Sequence, residues 1–273
     1  MQGIRGMRRT IAACLAVVFV SGLGAALALF AGAVWPELGG EQYSKGAMTV
    51  DASHASQGYI EVSASSKSNL KLRISKGETN YTYDINGDGS FEVFPLQMGS
   101  GKYTCSLYKN IKGNRYSKDA ELTISVELSD ENAAFLCPSQ YVNYTQDSPA
   151  VAASMEVCAG LESDRDKVSA IRDFMVNGFM YDYVRALTIS ENYLGDIDGC
   201  FNTRMGLCQD LAATAACMLR VQGIPTQLVI GYHDSIYHAW NNVYVDGEFL
   251  RLDITAALSG FPPDGVYTAE RYY

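Results

Sequence analysis

The sequence predicts an α+β protein: a helix carrying a cysteine packed on an antiparallel sheet, preceded by a β-sandwich-like domain and an N-terminal transmembrane helix. Three observations carry this. An Ala/Leu/Met-rich stretch opens at Gly206-Leu207-Cys208, a β-hairpin centres on Asp246-Gly247, and short β-branched or aromatic segments recur between residues 58 and 128. The boundaries expected are 1–36 for the anchor, 37–135 for the β-rich unit and 140–273 for the cysteine-bearing unit.

The helix follows from its punctuation. Gly206 breaks the preceding chain, helix formers run from Leu207 to about Val221, and Gly223 with Pro225 ends the run. Leu207, Leu211, Ala215 and Met218 form one apolar stripe, widened by Ala212, Ala216 and Leu219, which predicts a largely buried helix. Cys208 falls in the first turn, where unpaired N–H groups and the helix dipole favour a thiolate.

The hairpin supplies partners. Asp246-Gly247 is a type I′ turn signal between Ala239–Val245 and Glu248–Ile254. In that register Trp240 faces Asp253 and Val243 faces Leu250, so His238 and Asp253 become diagonal neighbours on one face. Ala239, Val243, Val245, Leu250, Leu252 and Ile254 make the opposite, apolar face. A thiol at a helix start with a histidine and an aspartate on successive strands is the pattern of a Cys-His-Asp nucleophilic site. His233 and His54 are the competing histidines, and Cys208 alone could simply be a packing residue.

These blocks also resemble a known family. Gly-Leu-Cys-Gln-Asp, Gly-Ile-Pro followed by Leu-Val-Ile-Gly-Tyr, His-Ala-Trp and Leu-Asp-Ile-Thr are similar to the core blocks of the bacterial transglutaminase-like superfamily. Upstream, Ala-Ile-Arg-Asp-Phe-Met and Met-Tyr-Asp-Tyr resemble the helix and Tyr-Asp ending that precede its nucleophile block. The resemblance covers about residues 140–273 and implies a papain-like fold, with Cys208 as nucleophile, His238 as general base and acid, and Asp253 as orienting residue. It implies an acyl-thioenzyme but not its acceptor. Asn241-Asn242 and Glu248-Phe249 depart from the apolar or Trp-rich segments of many relatives. An oxyanion hole would use the Cys208 N–H and an upstream donor, Tyr181 or Tyr183.

Around this core, Asp164–Phe179 reads as an amphipathic helix capped by Ser163 or Asp164, with Val168, Ile171, Met175 and Phe179 on its face. Val184–Met205 reads as a loop shaping the cleft, its Asp196 and Asp198 being polar loop residues rather than metal ligands. In the middle unit, Gly58–Ala64, Leu70–Ser75, Tyr81–Ile85, Phe91–Leu96, Gly101–Tyr108 and Glu121–Leu128 predict an antiparallel sandwich. Asp84–Gly89 imitates a calcium loop, but Pro95 holds the position of the closing glutamate, so a hairpin turn is expected.

Seven cysteines and three histidines lack the spacing of a zinc site, and no cofactor is expected. A Cys137–Cys158 disulfide and a redox pairing of Cys200 with Cys208 are conceivable alternatives. Residues 140–273 hold 17 acidic and 8 basic side chains and so carry the equivalent of the whole net charge of −9. That argues against nucleic acid and suggests cationic or lysine-bearing substrates only weakly, while the resemblance implies a protein or peptide substrate.

Arg5, Arg8 and Arg9 precede Ile11–Trp35, twenty-five residues without a charge, followed by Glu37 and Glu41. This predicts a single membrane span with the remainder outside the cytoplasm, or, if Ala31-Gly32-Ala33 is cleaved, a secreted protein. The expected function is an extracytoplasmic thiol enzyme acting on peptide or side-chain amides, with hydrolysis favoured. Protein-glutamine cross-linking, or a surface binding module with a relic triad, are the alternatives.

Overall fold

Alternation sets the first half of the molecule. In Leu70–Ile74 every second residue is apolar and buried while Lys71 and Arg73 face outward, the mark of a half-buried strand. The computed structural model describes residues 32–189, 193–260 and 265–273. Eight strands precede the first helix: β1 (Gln42–Lys45), β2 (Met48–Asp51), β3 (Tyr59–Ser65), β4 (Leu70–Lys76), β5 (Thr79–Ile85), β6 (Asp88–Pro95), β7 (Gly101–Lys112) and β8 (Arg115–Val126). They form two four-stranded antiparallel sheets, ordered β1-β2-β3-β6 and β5-β4-β7-β8. Met48, Val62, Leu72, Tyr83, Phe94 and Leu107 belong to one buried core between them, and Tyr83 meets Phe94 edge-on.

All six expected strand segments are present, and two short strands before them were not anticipated. The expected hairpin at Asp84–Gly89 is corrected. Asn86-Gly87 joins β5 in one sheet to β6 in the other, so it is a crossing between layers. Its acidic oxygens are engaged locally: Asp84 pairs with Lys71 at 2.8 Å, and Asp88 accepts from the Ser90 N–H at 2.8 Å.

The second half packs five helices around one sheet. These are α1 (Pro149–Val157), α2 (Asp164–Gly178), α3 (Ile197–Thr203), α4 (Cys208–Arg220) and α5 (Ile254–Ser259). The sheet is antiparallel, ordered β13-β12-β11-β14, from β11 (Thr226–His233), β12 (Ile236–Val245), β13 (Glu248–Leu252) and β14 (Tyr267–Tyr272). A two-residue parallel bridge joins β9 (Met180–Tyr181) to β10 (Met205–Gly206). Helix α4 lies at the centre, and every residue from Asp210 to Arg220 is buried. Ser163 caps α2, accepting from the Asp166 N–H at 3.1 Å, and Ile171, Met175 and Phe179 are buried along its inner face.

Two further expectations are corrected. The 184–205 segment is not loop throughout, because Asp196 accepts from the Gly199 N–H at 2.9 Å and starts α3. The second hairpin strand stops at Leu252 rather than Ile254, and Asp253 caps α5. Most of the expected membrane span, Ile11–Trp35, lies outside the described residues. Among those described, no helix is long and apolar enough to cross a membrane.

The two halves share buried contacts. Tyr141 and Tyr273 stack with centroids 3.6 Å apart, and Tyr81 and Tyr83 of β5 meet Tyr273 edge-on. The buried Arg220 guanidinium, at the end of α4, donates to the carbonyls of Cys137, Thr226 and Tyr273. Arg220 thus links the connecting segment, the helix and the sheet through one charged group with all its partners inside.

Candidate active site

Cys208 is the first residue of α4, after an extended Leu207. It is half-buried, whereas the other five cysteines among the described residues are fully buried and all six are free. The conceivable Cys137–Cys158 bridge is therefore not formed. Cys200, the conceivable redox partner of Cys208, is likewise free and fully buried, and burial pushes its thiol up to about 12, against a hydrogen bond with Thr214 that lowers it.

The helix start is locked by a carboxylate. Asp210, fully buried in the first turn, accepts from the Leu207 N–H at 2.8 Å and from the Asp196 N–H at 2.8 Å. Arg185 reaches the same carboxylate at 3.3 Å, and Tyr193 donates to its other oxygen. Residues on both sides of the thiol are thereby tied to one buried anion. The β9–β10 bridge sets Tyr181 opposite Gly206, two residues before Cys208.

On β12 the hairpin register is the one expected, with Val243 opposite Leu250 and Asn241 opposite Leu252. Asp246 and Gly247 have φ of 53° and 88°, as a type I′ turn requires. His238 Nε2–H donates to Asp253 Oδ2 at 2.7 Å, with each side chain only 6% exposed. That leaves Nδ1 for the Cys208 thiol, which lies near enough to the imidazole to help raise its pKa. Burial disfavours the imidazolium, but the hydrogen bond to Asp253 and the nearby Cys208 outweigh it and raise the His238 pKa to about 9. Burial opposes the Asp253 carboxylate as well, yet its bonds to His238, the Ala256 N–H and Tyr267 hold its pKa below the usual value. The geometry is that of an imidazole held between an anion and a thiol.

Several supporting groups were not legible beforehand. Tyr267 donates to Asp253 Oδ2 at 2.8 Å from β14, with the Arg251 guanidinium 3.9 Å from its ring centre. Trp240 lies nearly parallel to His238 at 6.1 Å. Gly231, paired with His238, has its place because β14 passes so close that a Cβ would sit 2.1 Å from the Thr268 carbonyl oxygen. Asn241, where the resemblance led one to expect an apolar residue, is buried and donates to the Ala212 carbonyl at 3.0 Å, tying the histidine strand to the cysteine helix.

Of the competing histidines, His54 lies away from the site, while His233 borders it, its ring centre 6.0 Å from that of His238. His54 stacks on Tyr59 in the sandwich, and His233 stacks on Tyr267 at the end of β11. Among the described residues no group of three His, Cys, Asp or Glu is arranged to hold a metal. Residues 151–254, which include Cys208, His238 and Asp253, match the model of the transglutaminase-like superfamily. The chain carries a transglutaminase-like domain.

Solved structures similar to this chain include a candidate cysteine protease from Cytophaga hutchinsonii, with TM-score 0.41 and 12% identity over 85% of this chain and 90% of that one. A TGase has TM-score 0.37 and 20% identity, covering 60% of this chain and 46% of its own. A candidate protease from Parabacteroides distasonis has TM-score 0.36 and 11% identity, covering 76% and 63%. A comparison with curated proteins finds no match.

In the transglutaminase-like domain Cys208 opens onto a cavity of about 580 Å³. Tyr181 lines it together with Gln209, Tyr193 and Tyr237, whereas Tyr183 is exposed and lies outside the lining. Burial raises the Tyr181 pKa, and the nearby Cys208 adds to the rise, so this hydroxyl stays protonated beside the thiol.

Proposed function

We propose that the protein is a thiol enzyme that opens peptide or side-chain amide bonds through an acyl-thioenzyme, with water as the usual acceptor. The observation that carries this reading is one histidine held between a buried carboxylate and a half-open thiol at a helix N-terminus. In this reading the thiol proton resides on His238 Nδ1, and Cys208 Sγ attacks the amide carbon, forming a C–S bond. The proton then passes to the departing nitrogen, and the C–N bond breaks to give an amine and a thioester. Water attacks the thioester, its proton returning through His238, and the products are a carboxylic acid and free Cys208. Asp253 keeps Nε2 protonated and so holds Nδ1 toward sulfur in every step. The Cys208 N–H and the Tyr181 hydroxyl are the candidate donors to the oxyanion.

Transfer to an amine, giving cross-links, is the second reading, because the family match leaves the acceptor open. Labelling with a thiol-reactive probe across pH, beside Cys208→Ala and His238→Ala, tests the enzyme reading. Reactivity below the ordinary thiol range that depends on His238 supports it, and an inert Cys208 sinks it. Glutamine-containing peptides with and without a primary amine then separate hydrolysis from transfer by product mass.

The same reading sets the catalytic unit outside the cytoplasm, on the strength of the three arginines before the uncharged N-terminal run. Proteolysis of intact cells checks this. Protection of residues 37–273 would refute it.

A further inference from the structure

The sandwich turns a polar face toward the thiol. The β4–β5 register pairs Lys71 with Asp84 and Arg73 with Thr82, on the side opposite the buried Leu72, Tyr81 and Tyr83. Such an outer face ordinarily meets water. Here Lys71, Thr82 and Asp84 line the cavity that contains Cys208, and Arg271 of β14 joins them. The wall is fixed in position. Arg271 Nη1 donates to the Asn80 carbonyl at 2.7 Å, its guanidinium lies 5.2 Å from the Tyr81 ring centre, and Tyr141 and Tyr273 stack beneath.

The charge of this wall is opposite to that of the molecule. The chain carries −9 overall. The described lining of the cavity nevertheless holds two cations, Lys71 and Arg271, and one acid, Asp84. Asp84 is already paired with Lys71 at 2.8 Å, which leaves Arg271 as the uncompensated charge. Only one of its five N–H donors is committed to Asn80 in the contact described, and a guanidinium edge matches a carboxylate in a bidentate pair. The cavity, at about 580 Å³, is of a size that takes a short peptide segment.

Resting on the reading of Cys208 as the acyl-accepting thiol, we propose that the β4–β5 face is the second wall of the substrate cleft. It selects acyl donors that carry a carboxylate, bound by Arg271 with Lys71 beside it, while the amide is presented to Cys208. The sandwich is then part of the specificity site.

The test reads binding without turnover, in the full chain carrying Cys208→Ala. Two pools of short N-acetylated, C-amidated peptides, identical except for glutamate or glutamine at one position, are passed over the immobilised protein and counted by mass spectrometry. The glutamate pool is expected to be retained roughly 5- to 20-fold better, as one charge-assisted pair provides. Arg271→Ala should bring the ratio close to one. Thr82→Asp, which leaves the tie to Asn80 intact, should abolish or reverse the preference. Equal retention of the two pools, or a preference that survives both substitutions, overturns the proposal. Failure of the thiol reading has a different signature: an inert Cys208 in the unmodified protein, with the retention ratio unaltered.

Discussion

Asp253 uses its two oxygens for different tasks. Oδ2 accepts the His238 Nε2–H at 2.7 Å, and Oδ1 accepts the Ala256 N–H at 2.8 Å, so one side chain both orients the imidazole and starts α5. Asn and Ala substitutions should therefore separate the two. Asparagine retains a cap but points an N–H at Nε2, driving the imidazole proton to Nδ1, where the thiol needs an acceptor. Asp253→Asn is expected to lower kcat/KM by about 10²- to 10⁴-fold. Asp253→Ala should lose about 1 kcal/mol more stability than Asp253→Asn, from the missing cap. Steady-state kinetics beside chemical denaturation measures both.

The pH dependence follows from the same pair. His238 has a folded pKa of about 9, above its ordinary 6.5, so its protonated form contributes stability that is fully present below about 6.5 and lost as pH rises through about 9. Asp253 is shifted down, so its contribution is present above the ordinary carboxylate value and is lost as pH falls through its lowered one. Wild-type kcat/KM should fall on the alkaline side near pH 9. In Asp253→Asn that limb should move toward about 6.5, the unperturbed histidine value. A limb that stays near 9 in the variant would mean that the carboxylate does not sustain the imidazolium.

The two tyrosines considered as oxyanion donors are expected to behave differently. Tyr181 lines the cavity beside Cys208, and Tyr183 does not. Tyr181→Phe should reduce kcat by about 10- to 100-fold with little change in KM, since the lost hydrogen bond forms in the transition state. Tyr183→Phe should leave both constants near wild type. Comparable losses in the two variants would remove Tyr181 from the oxyanion site.

Asp210 is the anchor of the cysteine helix. Asp210→Ala leaves the Leu207 and Asp196 N–H groups without their acceptor and Arg185 without its anion. The expected cost is about 2–4 kcal/mol, tempered because Arg185 is 39% exposed and can turn to water. Urea denaturation should show the loss, and hydrogen exchange at Leu207 and Asp196 should rise with it.

Local chemistry was legible in the sequence where a short-range rule governed it. Asp246-Gly247 dictates the turn, the turn dictates the register, and the register brings His238 next to Asp253. Gly206 and Gly223 bracket the helix in the same way. The strand segments of the sandwich could be located by alternation, but alternation does not say which sheet a strand joins. That is why Asn86-Gly87 read as a hairpin and is a crossing. Tyr267 could not be anticipated, because only the placement of β14 beside β11 brings it to Asp253. The cap at Asp253 did leave a signal, an Asp followed by Ile-Thr-Ala-Ala-Leu, that was outweighed by the strand pattern before it.

The tyrosines at the seam have a consequence for how the molecule comes apart. Tyr81 and Tyr83 on one side, with Tyr141 and Tyr273 on the other, belong to packing that neither half can complete alone. Separating the halves would bare several aromatic faces and strip the Arg220 guanidinium of the Cys137 carbonyl. Unfolding is then all-or-none: calorimetry should record one endotherm whose van't Hoff and calorimetric enthalpies agree. Residues 140–273 expressed alone should expose sticky aromatic surface and bind a hydrophobic dye. The sandwich, in thermodynamic terms, is half of a single cooperative unit.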